Sequence, residues 1–151
     1  MKAAKIEYTI VLVDYYDAGV FFINLAIRDN VRKYTFITLL PSIYRLARSK
    51  GFDAHLLHKK LKNPVGSVAI SKNIRELRLG LLDYSQACLV AKLAIDTVKY
   101  VTKRLTNNDV NLLVWNGSTI FGEVSRYFKR TEGYSTLFFE IANFPGKIFV
   151  D

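Results

Sequence analysis

Glu140 is the residue of this sequence best suited to moving a proton. It follows the apolar run Leu137-Phe-Phe139, and an ionised carboxylate inside such a strand is costly unless it is paired or sits at the strand's open end. A carboxyl half-buried beside apolar groups has a raised pKa, which suits a general acid or base. A salt bridge to one of the arginines is the competing reading. The other candidates would bind rather than react. Asn116, Gly117 and Ser118 follow the apolar run Leu112-Leu-Val-Trp115, and a glycine between a strand and a helix lets backbone approach a ligand closely. A plain turn uses the same residues. Asn143 is a hydrogen-bonding candidate in a turn shaped by Pro145. Asp14 and Asp17 end the first apolar run; Asp14 is a candidate substrate contact, and Asp17 reads as a helix cap.

Other chemistries lack their motifs. The residues after the first strand are Asp14-Tyr-Tyr-Asp-Ala-Gly19, not G-x-G-x-x-G, and no G-x-x-x-x-G-K-[ST] occurs, which argues against dinucleotide and P-loop sites. His55 and His58 have no nearby cysteine or paired carboxylate, whereas zinc wants three or four ligands. No metal and no cofactor is expected. Cys88 lies beside Leu89 in a helical stretch and reads as a small core residue. Ser118 lacks a G-x-S-x-G frame and reads as a helix cap rather than a nucleophile.

Strands alternating with helices position these residues. Ile6 to Val13 is apolar without alternation, as in a strand buried on both faces. A helix follows, with Phe21, Phe22, Leu25 and Ala26 at near-helical spacing. Tyr34 to Leu40 reads as a strand, Pro41 opens a second helix with Ile43, Leu46 and Ala47 inward, Gly51 closes it, and Phe52 to Leu57 is a third strand. Lys59 to Lys72 is a connecting loop with an extended piece at Val68 to Ile70. Asn73 to Leu105 reads as one long helical stretch with a break at Gly80, its face carrying Leu82, Leu89, Leu93, Val101 and Leu105. Then come a strand Val110 to Trp115, a helix Thr119 to Arg130, a turn at Glu132-Gly133, a strand Tyr134 to Ile141, and an extended piece at Ile148 to Val150. The pattern predicts an α/β fold: a Rossmann-like, mostly parallel sheet with helices on both faces. In such sheets ligands bind at the strands' C-terminal ends.

A chain of 151 residues is about one domain. No apolar run reaches the roughly 18 residues of a bilayer span. Asp14 and Asp17 interrupt the apolar segment after the N-terminal lysines, and no small-residue cleavage site follows, which argues against export. One cysteine cannot form an internal disulfide, which is compatible with the cytoplasm. The net charge of +9 favours anionic partners such as nucleic acid, an acidic membrane surface or charged small molecules. The basic excess is densest from Arg45 to Lys62, where Arg45, Arg48, Lys50, Lys59, Lys60 and Lys62 face only Asp53; a solvated face is the bland reading. A non-enzymatic basic module for nucleic acid or a protein is the alternative to an enzyme. Aromatics are not interleaved with the basic clusters as a single-strand binder wants, which argues against nucleic acid.

Trp115-x-Gly117, a helix, and then Glu140-Ile-Ala-Asn143-Phe-Pro145-Gly-Lys-Ile-Phe-Val-Asp151 resembles the capsule-polysaccharide glycosyltransferases, in particular the β-Kdo transferases of bacterial capsule and O-antigen assembly. Phe21-Phe-Ile-Asn-Leu-Ala26 is similar to their first helix. The likeness covers about a third of the chain. It implies the N-terminal, acceptor-side domain of a GT-B-like enzyme, residues 1–151, with the C-terminal nucleotide-sugar domain absent and the chain's end reading as a cut. It implies Kdo transfer from CMP-Kdo to a surface-polysaccharide or glycolipid acceptor with retention, the donor held mainly by the C-terminal domain, and Glu140 as acid/base or acceptor-positioning residue. A cytoplasmic location is expected, at the inner face of the membrane where the basic residues meet an acidic surface.

Overall fold

The computed structural model describes residues 5–57, 68–105, 109–141 and 148–150, with only the backbone course for 140, 141 and 148–150. The elements are β1 (Glu7–Val13), α1 (Tyr16–Arg28), β2 (Lys33–Thr38), α2 (Pro41–Ser49), β3 (Asp53–Leu56), α3 (Arg75–Arg78), α4 (Tyr84–Thr102), β4 (Asp109–Val114), α5 (Ile120–Glu132), β5 (Ser135–Ile141) and β6 (Ile148–Val150). The sheet order is β3-β2-β1-β4-β5-β6. The first five strands pair in parallel, and β6 runs antiparallel to β5. The α/β fold, Rossmann-like and mostly parallel, is therefore the observed one. The turn of direction at β6 has a simple reason: only residues 142–147 separate it from β5, too few for the crossover a parallel neighbour requires.

The continuous apolar run of β1 is explained by burial on both sides. Ile10 and Leu12 join the core under α4 and α5, whereas Val11 and Val13 join the core under α1 and α2. All four are fully buried, each worth about 1.5–3 kcal/mol relative to exposure. On the α1 side Phe22 meets Trp115 and Phe139 edge-on, with centroids 5.9 and 5.2 Å away. Such pairs add about 0.5–1.5 kcal/mol each beyond area burial. That layer is incomplete over β4 and β5. Leu137 stays 44% exposed in an open groove with Leu25, Asn111 and Ser135.

Helix ends follow local chemistry, with one departure from expectation. Pro41 does open α2, and Gly51 and Gly133 do take the left-handed conformation at helix exits. Asp17, however, does not cap α1. The cap position is Tyr15, with no side-chain bond to the helix, and Asp17 instead accepts the Tyr15 hydroxyl at 2.8 Å. The stretch from Asn73 to Leu105 is broken at Gly80, as expected, into the two helices α3 and α4. Gly80 has φ of +65°, and Asp83 with Gln86 forms a capping box that starts α4 afresh, satisfying two of the amide donors at its start. Val68 to Ile70 forms no strand; Ile70 is instead a buried core residue. Lys59, Lys60, Lys62, His58 and Asn143 lie outside the described residues.

Candidate functional site at the sheet's C-terminal edge

The sheet order reverses between β1 and β4. The chain leaves β1 toward β2 on one side, and later returns to place β4 on the other. Diverging connections leave a crevice at the strands' C-terminal ends. Asp14 directly follows β1, and Trp115 to Thr119 links β4 to α5, so both lie at that crevice.

The β4–α5 link is organised by its own side chains. The Asn116 side-chain oxygen accepts the Ser118 amide at 2.8 Å and the Ser118 hydroxyl at 2.7 Å, an Asx turn that substitutes for a backbone turn. Thr119, buried, donates its hydroxyl to the Asn116 carbonyl at 2.9 Å and accepts the Gly122 amide at 3.3 Å. The α5 cap is thus Thr119, not Ser118, whose hydroxyl is already committed to Asn116. Gly117 packs over the Phe138 ring, which a Cβ there would meet at 3.4 Å. Ser118 is exposed, and Asn116 and Gly117 are half-buried, so all three can be reached from the crevice.

Asp14 is half-buried beside them. Burial first, and the Glu76 carboxylate second, push its pKa up to about 6; its own backbone amide, the Arg75 guanidinium and the Thr119 hydroxyl oppose the rise. At pH 7 about nine in ten such groups are ionised. The carboxylate is then a stronger base than an ordinary aspartate, and a good hydrogen-bond acceptor.

Glu76 and Arg75 belong to α3, which sequence reasoning did not connect with this edge. The Glu76 carboxylate accepts the Ile120 amide at 3.2 and 3.3 Å through its two oxygens, and the Arg75 amide donates to the Ser118 carbonyl at 2.8 Å. Glu76 and Ile120 are 44 residues apart, and no local pattern announces such a contact. Gly122 did carry a signal, since a glycine in the first turn of a helix often marks close backbone approach.

The structure brings Asp14, Asn116, Gly117 and Ser118 to one edge. Glu140 belongs to the same edge by register: β5 pairs with β4 as far as Phe138 opposite Val114, and Glu140 lies two residues further on, opposite Phe149 of β6. Asn143 is outside the described residues. His55 meets Asp53 at 3.2 Å on the sheet's β3 margin, and Cys88 is half-buried against the core. Among the described residues no group of three or more His, Cys, Asp or Glu is arranged to hold a metal ion, and no helix is long and apolar enough to cross a membrane. An apolar cavity of about 140 Å³ between the ends of β2 and β3 and helix α4 is lined by leucines, valine and Gln86. Asp14 and Asn116 to Ser118 are not among its lining residues.

The fold and the crevice define a Rossmann-like α/β domain with an acidic residue and an Asx-turn loop at its switch point. No protein-family model matches the chain, and no curated protein sequence matches it significantly.

Proposed function

We propose that this chain is the acceptor-side, Rossmann-like half of a glycosyltransferase that moves Kdo from CMP-Kdo to a bacterial surface-polysaccharide or glycolipid acceptor. One observation carries the reading. Asp14, Asn116, Gly117 and Ser118 converge on the switch-point crevice, and Glu140 shares that edge by strand register. Trp115 to Gly117 and Glu140, which carry part of the resemblance to β-Kdo transferases, belong to the same edge. In this reading Asp14, Asn116, Ser118 and Asn143 bind acceptor hydroxyls, Gly117 lets the glycan approach the backbone, and Glu140 takes the acceptor proton or positions the acceptor. The C-terminal domain supplies the CMP-Kdo site and closes the crevice. Arg45, Arg48 and Lys50, exposed on and just after α2, favour an anionic glycan or the acidic membrane surface that carries it.

The test is Kdo transfer from CMP-Kdo by the full-length gene product with Glu140→Gln. Loss of a general base lowers kcat by about 100-fold or more. Activity within about twofold of wild type removes Glu140 from that role. Salt-dependent retention on DNA, with no response to CMP-sugars, would replace the enzyme by a basic binding module.

A further inference from the structure

Helix α3 is four residues long and none of its residues is buried. A helix this short has no stability of its own, so something outside it must hold it in place. Ile74, just before it, is 2% exposed and anchored in the core. Beyond that anchor, α3 is tied to the β4–α5 link twice, through the Arg75 amide to the Ser118 carbonyl and the Ile120 amide to the Glu76 carboxylate. The second bond is the telling one. The Ile120 amide is the first of the four unpartnered donors that every helix leaves at its start. Thr119 satisfies the Gly122 amide two residues on, and Glu76 reaches in from another element to satisfy this one. A charged acceptor on a backbone amide is among the stronger hydrogen bonds, and it also meets the positive end of the α5 dipole.

We propose that Glu76 is a positioning residue of the crevice: it straps α3 across the start of α5, fixes the Asn116–Thr119 loop against Asp14, and sets the charge that Asp14 meets there. The proposal rests on the reading that this edge binds the acceptor. The groups facing Asp14 are Glu76 and Arg75 from α3 and the Thr119 hydroxyl at the start of α5. On the α1 side Asp17 is engaged by the Tyr15 hydroxyl. Arg75 and Glu76 act on Asp14 in opposite directions, with Glu76 the larger, so removing the Glu76 charge leaves Arg75 unopposed. The strap therefore has two separable effects, a mechanical one through Ile120 and an electrostatic one on Asp14.

Two substitutions separate them without a substrate. Glu76→Gln keeps an oxygen for the Ile120 amide and removes the charge; Glu76→Ala removes both. In the purified chain, NMR amide exchange is expected to quicken about tenfold at Ile120 in Glu76→Ala. The Thr9 and Ile10 amides of β1 serve as the reference for intact folding. In Glu76→Gln the Ile120 amide stays protected, while the Asp14 carboxyl, followed by carbon shifts in an aspartate-labelled chain, titrates at lower pH than in wild type. Unchanged Ile120 exchange in Glu76→Ala removes the mechanical role, and an unmoved Asp14 titration in Glu76→Gln removes the electrostatic one. These readouts need no sugar, so their failure differs from failure of the transfer assay. In the full-length enzyme the strap predicts a raised acceptor KM for Glu76→Ala, with partial recovery in Glu76→Gln. Equal KM in all three proteins refutes a link to the crevice.

Discussion

Gly122 in the first turn of α5 faces the carbonyl of Gly117 so closely that a Cβ built on Gly122 would overlap that oxygen. Both partners are backbone at the contact, so no side chain can swing aside. Two effects oppose each other in Gly122→Ala. Alanine gains about 1 kcal/mol of helix propensity, but the clash forces the loop or the helix start to move, at a cost of about 3 kcal/mol at the upper end for overpacking. The clash wins. Urea unfolding is expected to show a lowered midpoint, and the Asn116–Ser118 bonds should loosen with it. A midpoint at or above that of wild type would mean that the close approach is not a constraint.

Asp14 gives a pH signature of the opposite sign to an ordinary ion-paired carboxylate. Its folded pKa of about 6 lies above the 3.8 of a free aspartate, so between these values the folded chain holds more protons than the unfolded one. Stability then falls as pH rises through this window. Its charge is a burden at pH 7 that protonation relieves. Asp14→Asn is expected to stabilise the chain at pH 7 by about 1–3 kcal/mol, the span between a screened and a full two-unit shift. The gain should fade on acidification toward pH 4. Denaturant midpoints at pH 7, 5.5 and 4 measure it; a variant less stable than wild type at pH 7 contradicts the account.

What could be read in the sequence, and what could not, divides by the range of the interactions. A parallel strand buried on both faces is a near-continuous apolar run, as Ile10 to Val13 of β1 and Leu112 to Val114 of β4 are, while β2 is legible by its β-branched and aromatic residues Tyr34, Thr35, Phe36 and Ile37. Pro41, Gly51 and Gly133 mark helix ends through their own backbone limits, which need no partner. The choice between Ser118 and Thr119 as cap was not legible, because Asn116 captures the Ser118 hydroxyl first. Asp17 fails to cap α1 for a similar reason: the Tyr15 hydroxyl takes its carboxylate. The crevice itself followed from strand ends alone. Glu76 did not, since its bond to Ile120 crosses 44 residues and nothing in Arg75-Glu-Leu-Arg78 distinguishes it from a wet helical face.

Asp29 is the counterweight to Asp14, at the other end of the sheet. It accepts the Val31 amide at 2.9 Å, the Arg32 guanidinium at 2.8 Å and the Tyr34 hydroxyl at 2.6 Å, and so fixes the turn from α1 into β2. Arg32 in turn reaches Glu7 on β1 at 2.8 Å. The Tyr34 hydroxyl first, then Arg32, hold the Asp29 carboxyl well below the usual carboxylate range, while burial and Asp29 push Tyr34 up to about 12. A depressed folded pKa contributes stability that is fully present above the unfolded value of about 3.8 and is lost as pH falls toward the folded value. Asp29→Asn keeps an oxygen for the backbone amides but loses the charge, at an expected cost of about 2 kcal/mol at pH 7. Tyr34→Phe removes one neutral donor from the same carboxylate and should cost less, about 1 kcal/mol. The gap between the Asn variant and wild type should narrow steadily as pH falls below about 3.8, where the unfolded chain takes up the Asp29 proton before the folded one does. Thermal midpoints from pH 7 to pH 2.5 decide the matter. A gap that stays constant over that range would assign the loss to packing in the turn and not to the charge.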